Sequence, residues 1–235
     1  MVSRLGIIGD VHAEDALLQT AIAHLLDAGV DALVCTGDIV DGTGDADRCC
    51  ALLAENGVYT VRGNHDRWLI EGKVRHIPDA HLAENLLPET QAFLTGLPTQ
   101  ITLSTLNGPL LLCHGVANND LQKVWPGTEH MPIDRCSTLD QIIASGAYSY
   151  MINGHVHYRT MINFEQLTLL NAGTLKNRHR PGFSILDCET ETLCGFEFLP
   201  SVSKVQELAL QHPERRVFKD TRDFDGEWQP VTLYA

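Results

Sequence analysis

Side chains that can bind a metal or move a proton recur at five places in the sequence where an apolar run ends. The five junctions are Ile7-Ile8-Gly9-Asp10-Val11-His12, Leu33-Val34-Cys35-Thr36-Gly37-Asp38, Val58-Tyr59-Thr60-Val61-Arg62-Gly63-Asn64-His65-Asp66, Leu110-Leu111-Leu112-Cys113-His114-Gly115 and Met151-Ile152-Asn153-Gly154-His155-Val156-His157. Open α/β sheets bind ligands at the carboxyl ends of their strands. Because the same character recurs five times, we expect these junctions to meet in one site.

Three oxygen donors and four imidazoles are the candidate metal ligands: Asp10, His12, Asp38, Asn64, His114, His155 and His157. This donor set suits borderline divalent metals such as Mn²⁺, Fe²⁺, Zn²⁺ and Ni²⁺. Asp10 and His12 are two residues apart, as are His155 and His157, and in extended backbone such residues point the same way. Seven ligands exceed the needs of one tetrahedral ion and fit two ions that share a carboxylate.

The order of these motifs resembles that of a known enzyme family. The blocks Asp10-x-His12, Gly37-Asp38, Gly63-Asn64-His65-Asp66, His114-Gly115 and Gly154-His155-x-His157 resemble the calcineurin-like metallophosphoesterase superfamily, over residues 5–175. Asn171-Ala172-Gly173-Thr174 also resembles the Asn-Pro-Gly-Ser turn of its small bacterial phosphodiesterase branch, with Ala172 in place of proline. The resemblance implies an α/β fold with four layers, α-β-β-α, in which helices flank two mixed β-sheets.

The resemblance also implies a role for each site residue and a cofactor of two divalent metal ions, with manganese favoured over iron, zinc or nickel. Asp10, His12 and His157 would bind the first ion, Asp38 would bridge, and Asn64, His114 and His155 would complete the second. His65 would protonate the leaving oxygen without binding metal, and Asp41 would orient it. Asp66 is interpreted as a structural residue that accepts backbone amides.

We therefore predict a phosphoesterase that hydrolyses phosphodiesters, with phosphomonoesters as a second substrate class. Two cations roughly 3.5–4 Å apart would lower the pKa of a bridging water. The resulting hydroxide would attack phosphorus, and His65 would supply the proton that the departing alkoxide needs.

Three alternatives stay open at this stage. Dinucleoside polyphosphate hydrolases and Ser/Thr protein phosphatases of the family carry an arginine soon after the bridging aspartate, where this chain has Val40-Asp41-Gly42-Thr43-Gly44. Protein phosphatases also have glutamate at the position of Asp66. A non-catalytic scaffold of this fold, similar to the retromer subunit, would have a degraded site, whereas the ligands and His65 are all present here.

The elements that must position these residues follow a β-α-β-α-β order, with strands at 4–8, 32–36 and 58–61 and helices at 15–28 and 46–56. This order predicts a parallel sheet with right-handed crossovers. Asn107-Gly108 predicts a hairpin between strands 101–106 and 110–113. Further strands are predicted at 148–152, 161–164, 167–170, 183–186 and 193–199, and helices at 89–95 and 139–144. The stripe of Val205, Leu208 and Leu210 predicts one more helix.

The predicted domain spans residues 1–200, and residues 201–235 form an extension. Two long irregular segments, 67–99 and 116–136, are predicted to rise above the site as caps. Within the second, Trp125 could stack on a nucleobase or pin the loop to the core.

Composition limits the partners. The net charge of −13 disfavours extended binding of nucleic acid or anionic lipid, so we expect a small phosphorylated substrate, with nucleotides among the candidates. No apolar run approaches the roughly 20 residues of a membrane helix. Seven unpaired cysteines, and the mere three residues before the first strand, predict a cytoplasmic protein without a signal peptide. The sequence leaves the oligomeric state open.

Overall fold

A computed structural model of the protein describes residues 1–73, 76, 78–198 and 201–234. Within these residues the strands are β1 (Arg4–Ile8), β2 (Ala32–Cys35), β3 (Tyr59–Thr60), β4 (Gln100–Thr105), β5 (Gly108–Cys113), β6 (Tyr150–Asn153), β7 (Arg159–Phe164), β8 (Thr168–Ala172), β9 (Gly182–Asp187), β10 (Thr192–Glu197), β11 (Ser203–Ala209), β12 (Val217–Phe218) and β13 (Val231–Thr232). The α-helices are α1 (Asp15–Asp27), α2 (Ala46–Glu55), α3 (Asn64–Ile70), α4 (Pro88–Gly96) and α5 (Ser137–Ser145). Short 3-10 helices cover Ala83–Asn85 and Thr221–Asp223.

The strands form two mixed sheets. The first has the order β11-β10-β9-β1-β2-β3, in which β1, β2 and β3 are parallel. The second has the order β12-β7-β8-β6-β5-β4, in which β5, β6 and β8 are parallel, and β13 adds to β7. Helices α1, α2 and α5 connect parallel neighbours, as right-handed crossovers require. The predicted fold class is confirmed.

Alternating side chains divide the core into three apolar clusters and so create four layers. In β1, Leu5 and Ile7 face the second sheet, whereas Ile8 faces the helices α1 and α2. In β5, Leu110 and Leu112 face the first sheet, whereas the residues between and after them pack under α5. Because side chains in a strand point alternately to opposite faces, each central strand contributes to two clusters.

The helices follow the sequence pattern closely. Helix α1 buries Leu18, Ala21, Ile22 and Leu25, a stripe of helical period, against the first sheet. The side chain of Asp45 caps α2 by accepting a hydrogen bond from the N–H of Arg48 at 3.0 Å. No helix among the described residues is long and apolar enough to cross a membrane.

One predicted helix is wrong. Val205 and Leu208 lie in strand β11, which pairs antiparallel with β10. In this pairing Gly195 lies opposite Gln206 and Phe196 opposite Lys204, so the register skips Val205 as a β-bulge. The bulge gives the apolar side chains a spacing of three, which resembles a helical stripe. The other predicted elements are present within about two residues, except that Leu199, at the end of one predicted strand, lies outside the described residues.

The segment 201–234 contacts both sheets. Phe218, Phe224 and Trp228 are buried beside α5 in the third apolar cluster, and Leu233 reaches the cluster between the sheets. Although the sequence of this segment is largely polar, its aromatic side chains are buried and pack it against the domain.

The two irregular segments have different surroundings. Most of 67–99 packs beside the first sheet, where Leu86, Leu94 and Leu97 join the cluster under α2. Segment 116–136 lies over the second sheet, and Trp125 is only 3% exposed there. The Trp125 ring lies 5.1 Å from that of Trp228, edge to face. Of the two interpretations of Trp125, the structure favours the packing residue.

We predict that Trp125→Ala lowers the free energy of unfolding by about 3–5 kcal/mol, the usual cost of truncating a buried aromatic residue. Urea titration measures this loss. Tyr59→Ala, a truncation of an aromatic side chain that is 46% exposed, is the control and should cost about 0.5 kcal/mol or less. Unchanged stability of Trp125→Ala, together with weaker nucleotide binding, would restore the stacking interpretation.

Candidate metal centre

The seven candidate ligands meet at one edge of the molecule, where the parallel strands of both sheets end. Asp10 and His12 follow β1, Asp38 follows β2, and Asn64 follows β3. His114 follows β5, and His155 and His157 follow β6. Asp38, which is 1% exposed, lies among the other six, of which four are buried and two, His155 and His157, are half-buried. The paired sheets thus bring together residues that lie up to 147 positions apart.

The first group of ligand atoms comes from Asp10, His12, Asp38 and His157, which lie within 4.8 Å of one another. Nε2 of His12 is 3.1 Å from Nε2 of His157 and 4.0 Å from Oδ2 of Asp38. Nε2 of His157 is 3.3 Å from Oδ2 of Asp10. These atoms converge on a single point, as ligands of one cation do.

The second group comes from Asp38, His114 and His155, again within 4.8 Å of one another. Nε2 of His114 lies 3.3 Å from Oδ2 of Asp38 and 3.0 Å from Oδ1 of Asn64. The same Oδ1 of Asn64 lies 2.9 Å from Nδ1 of His155. Asp38 belongs to both groups and is the carboxylate that they share.

The hydrogen-bond partners of the histidines show that this donor set fits cations. Nδ1 of His114 lies 2.7 Å from the carbonyl of Thr36, and Nδ1 of His12 lies 3.1 Å from the carbonyl of Asp41. A carbonyl oxygen only accepts, so both Nδ1 atoms carry a proton. In the neutral rings, Nε2 therefore presents a lone pair to the carboxylate and amide oxygens opposite it. Lone pairs that face one another repel unless a proton or a metal ion lies between them.

The pKa values of His114 and Asp38 also indicate that the cluster favours a bound positive charge. Burial would lower the pKa of His114, but the facing carboxylates of Asp38 and Asp10 raise it to about 10. Burial would raise the pKa of Asp38, but His114, His65 and His12 hold it well below its usual range. The site thus holds a buried anion that recruits a proton when no cation is bound.

The remaining imidazoles are in the form that binds metals. Burial lowers the pKa of His12 to about 4, that of His155 to about 4 and that of His157 to about 3. All three rings are therefore neutral at pH 7, and a neutral ring needs to release no proton before it ligates a cation. Burial, with the charge of Asp38, raises the pKa of Asp10 to about 7.

The backbone reaches this arrangement through left-handed conformations rather than extended strand. His12, Asp38, His155 and His157 have φ between 46° and 69°. His155 and His157 therefore reach the cluster without the extended backbone that the sequence analysis assumed, one in each group of ligand atoms. Such φ values are costly for residues other than glycine and cluster at functional sites, where the surrounding structure enforces them.

Two glycines make room for the carboxylates. A Cβ atom on Gly63 would lie 2.2 Å from Oδ1 of Asp38, and one on Gly154 would lie 2.1 Å from Oδ1 of Asp10. Either contact would push a candidate ligand out of the cluster. The glycines of the Gly-Asn-His-Asp and Gly-His-x-His motifs are thus explained by sterics.

His65 lies at the rim of the cluster, and its ring is held through Nδ1 by the carboxylate of Asp41. Nδ1 of His65 is 2.7 Å from Oδ2 of Asp41, while Nε2 is 3.9 Å from Oδ2 of Asp38. The backbone N–H of His65 donates to Oδ1 of Asp38 at 2.8 Å. With its Nδ1 proton donated to a carboxylate, the ring directs Nε2 towards the shared centre.

His81 is a site residue that the sequence analysis missed. Its backbone N–H donates to Oδ1 of Asp41 at 2.9 Å, and its Nδ1 accepts from the backbone N–H of Asp41 at 3.0 Å. This reciprocal pair holds Asp41, which has a φ of 66°, in the orientation that meets His65. His179, 2.9 Å from Nδ1 of His157 through its own Nδ1, was missed in the same way.

The match to a family model covers most of the chain. Residues 4–191 match the model of the calcineurin-like phosphoesterase superfamily domain. The chain belongs to this superfamily. The description of that model is of a phosphoesterase domain, which agrees with the enzyme class predicted from the sequence.

Comparison of this chain with individual proteins gives short matches or low sequence identities. The serine/threonine-protein phosphatase 1 of Salmonella typhimurium is 32% identical over 68 residues, which are 28% of this chain and 32% of that protein. The match thus spans about a third of that relative's length. A metallophosphoesterase from Sphaerobacter thermophilus has a TM-score of 0.59 at 19% identity, covering 88% of this chain and 90% of that one. Yfce, a phosphoesterase from E. coli, has a TM-score of 0.55 at 16% identity, covering 88% of this chain and all of that one.

Within this calcineurin-like phosphoesterase, Asp66 has the structural role that the sequence predicts. Its Oδ1 accepts from the N–H groups of Ile39 at 2.8 Å and Val40 at 3.3 Å, and its Oδ2 accepts from Gly63 at 2.9 Å. The carboxylate thereby joins the loop after β2 to the start of α3. Both of its oxygens accept from backbone amides, and Asp66 belongs to neither ligand group.

Proposed function

We propose that this calcineurin-like phosphoesterase hydrolyses small phosphodiesters, and phosphomonoesters as a second class, with two divalent metal ions. The observation that carries the proposal is the pair of ligand groups that share the buried carboxylate of Asp38. Asp10, His12 and His157 would hold one ion with Asp38, and Asn64, His114 and His155 would hold the other. Manganese is the ion that we propose, because the donor set mixes carboxylate, amide and imidazole.

When bound, the two ions would polarise the phosphoryl oxygens and lower the pKa of a water molecule. The protein's contribution is to aim the ligands. Thr36 fixes the tautomer of His114 through its carbonyl, and the carbonyl of Asp41 does the same for His12. Such outer partners orient metal-binding histidines and raise their basicity.

His65 is the residue that we propose as the general acid. The side chain of His65 is 10% exposed at the rim of the cluster. Asp41 accepts its Nδ1 proton, so Nε2 is the atom that can donate to a leaving oxygen. Asp41 is a positioning residue, because its carboxylate touches His65 and not the reacting atoms. Proton donation of this kind matters most for alkoxide leaving groups, which are poor without it.

Two features of the site support an enzyme over a non-catalytic scaffold of the same fold. The ligand set is complete, and the His65–Asp41 pair is formed at 2.7 Å. A binding scaffold has no need of either.

All seven cysteines are free thiols, as is usual in a reducing compartment.

Metal analysis followed by a substrate panel tests the proposed function. The purified protein should contain about two divalent ions per chain and should hydrolyse bis(4-nitrophenyl) phosphate, with 4-nitrophenyl phosphate cleaved more slowly. Removal of metal by EDTA should abolish both activities, and Mn²⁺ should restore them. A protein that binds Mn²⁺ fully and cleaves neither compound would refute the proposal in favour of a scaffold.

A further inference from the structure

A cleft of about 630 Å³ opens beside the candidate metal centre. His155 and His157 line this cleft and also belong to the ligand groups, so the cleft and the ligand cluster are continuous. Lys123 comes from segment 116–136, and Arg178 comes from the turn after β8. Tyr234, which follows β13, also lines the cleft. A volume of this size is typical of a site for a whole small molecule, roughly 300–1,000 Å³, rather than for one phosphoryl group.

The cleft is basic in a protein that is acidic overall. Three of the chain's seventeen lysines and arginines line it, namely Lys123, Arg178 and Arg180, and none of its described lining residues carries a carboxylate. Among the ion pairs between residues that the structure describes, none includes Lys123 or Arg178. With a net charge of −13, such a local excess of positive charge points to an anionic ligand.

The cations lie within electrostatic reach of the metal centre. Lys123, Arg178 and Arg180 line the same cleft as His155 and His157, which belong to the two ligand groups. The guanidinium of Arg180 stacks on the ring of Tyr234, 4.9 Å from its centroid, so the C-terminal residues hold that arginine at the cleft. A phosphoester bound at the cluster would therefore extend past fixed positive charges.

We propose that this cleft binds a second, uncleaved phosphoryl group of the substrate through Lys123, Arg178 and Arg180. The inference rests on the proposed function, since the first phosphoryl group is the one bound at the metal centre. The substrate class is thus a phosphoester or phosphoanhydride with two or more phosphoryl groups, as in a nucleoside diphosphate.

Inhibition by AMP and ADP tests the inference, with the initial rate of bis(4-nitrophenyl) phosphate hydrolysis as the readout and free Mn²⁺ held constant. ADP should inhibit the wild type at least about 10-fold more strongly than AMP, a difference of about 1.4 kcal/mol. In the double variant Lys123→Met, Arg178→Gln this preference should fall to about 2-fold or less, because charge-assisted bonds to the second phosphoryl group are lost. Affinity for AMP should fall less than affinity for ADP in this variant, because AMP has no second phosphoryl group to lose contacts with these cations.

Lys204→Met is the matched control, because Lys204 pairs with Glu207 on β11 and lies outside the cleft. This variant should keep the full preference for ADP. Equal inhibition by AMP and ADP in the wild type would overturn the inference, and so would a preference that survives in the double variant. A protein without turnover would refute the proposed function instead, and calorimetric affinities of AMP and ADP for the Mn²⁺-loaded chain would still decide this inference.

Discussion

Asp38→Asn is expected to remove at least one metal ion from the protein and to lower kcat/KM on a nitrophenyl diester by on the order of 10²–10³ or more. Asp38 is the one carboxylate that belongs to both ligand groups, and its Oδ2 lies 3.3 Å from Nε2 of His114 and 4.0 Å from Nε2 of His12. An amide keeps the size of the side chain but leaves two neighbouring cations without a shared negative charge. Their mutual repulsion would then expel one of them.

The fold should survive this substitution. The hydrogen bond from the N–H of His65 to Oδ1 of Asp38 can still be accepted by the amide oxygen of an asparagine. Asp27→Asn, the same change at an exposed position near the end of α1, is the control and should leave metal content and turnover unchanged. Metal analysis that finds two ions per chain in Asp38→Asn, with activity within a few-fold of the wild type, would show that the binuclear assignment is wrong.

The first half of the fold follows from local patterns in the sequence. The helical stripe of α1, the continuous apolar run of β2 and the cap at Asp45 each depend on residues within about ten positions of one another. Such patterns determine the β-α-β-α-β order, and parallel strands then bring their carboxyl ends to one edge. The approximate place of Asp10, Asp38 and Asn64 therefore requires only local information.

The parts that the sequence analysis missed depend on long-range contacts. His81 contacts Asp41 across 40 positions, and His179 contacts His157 across 22. A lone histidine in an irregular segment has no periodicity or spacing that reveals its partner. The sequence shows only that each histidine lies in an irregular segment near a strand-end motif. An exposed histidine without any role at the site would show the same pattern. The bulge at Val205 was missed for the same reason, since only the pairing with β10 distinguishes it from a helix.

The start of α3 shows a local signal that was overlooked. Gly63 precedes the helix, and the side chain of Asp66 accepts from the N–H of Gly63 at 2.9 Å, which is half of a capping box. The acidic residue three positions after a small residue therefore predicts a helix as well as a turn. As a result His65 lies in the first turn of a helix, which is a more rigid mount for a proton donor than a loop.

His65→Asn should lower kcat for phosphodiesters with alkyl leaving groups by on the order of 10²–10⁴, the usual contribution of a general acid. A nitrophenyl ester, whose leaving group needs no proton, should lose far less. Metal content should not change, because His65 belongs to neither ligand group. Asp41→Asn should give a milder form of the same pattern, since the amide accepts more weakly from Nδ1 of His65.

His81→Ala removes a side chain that contacts Asp41 rather than His65. We expect it to lower kcat on alkyl diesters less than His65→Asn or Asp41→Asn does. It deletes the imidazole that accepts from the N–H of Asp41, while the backbone N–H of residue 81 can still donate to the carboxylate. The three variants should therefore rank in order of their distance from the leaving oxygen on alkyl substrates, and should be nearly indistinguishable on nitrophenyl substrates. Steady-state rates on a matched pair of diesters, one alkyl and one nitrophenyl, measure this ranking. Equal losses on both substrates in His65→Asn would refute the general-acid role, and a loss of metal would place His65 among the ligands instead.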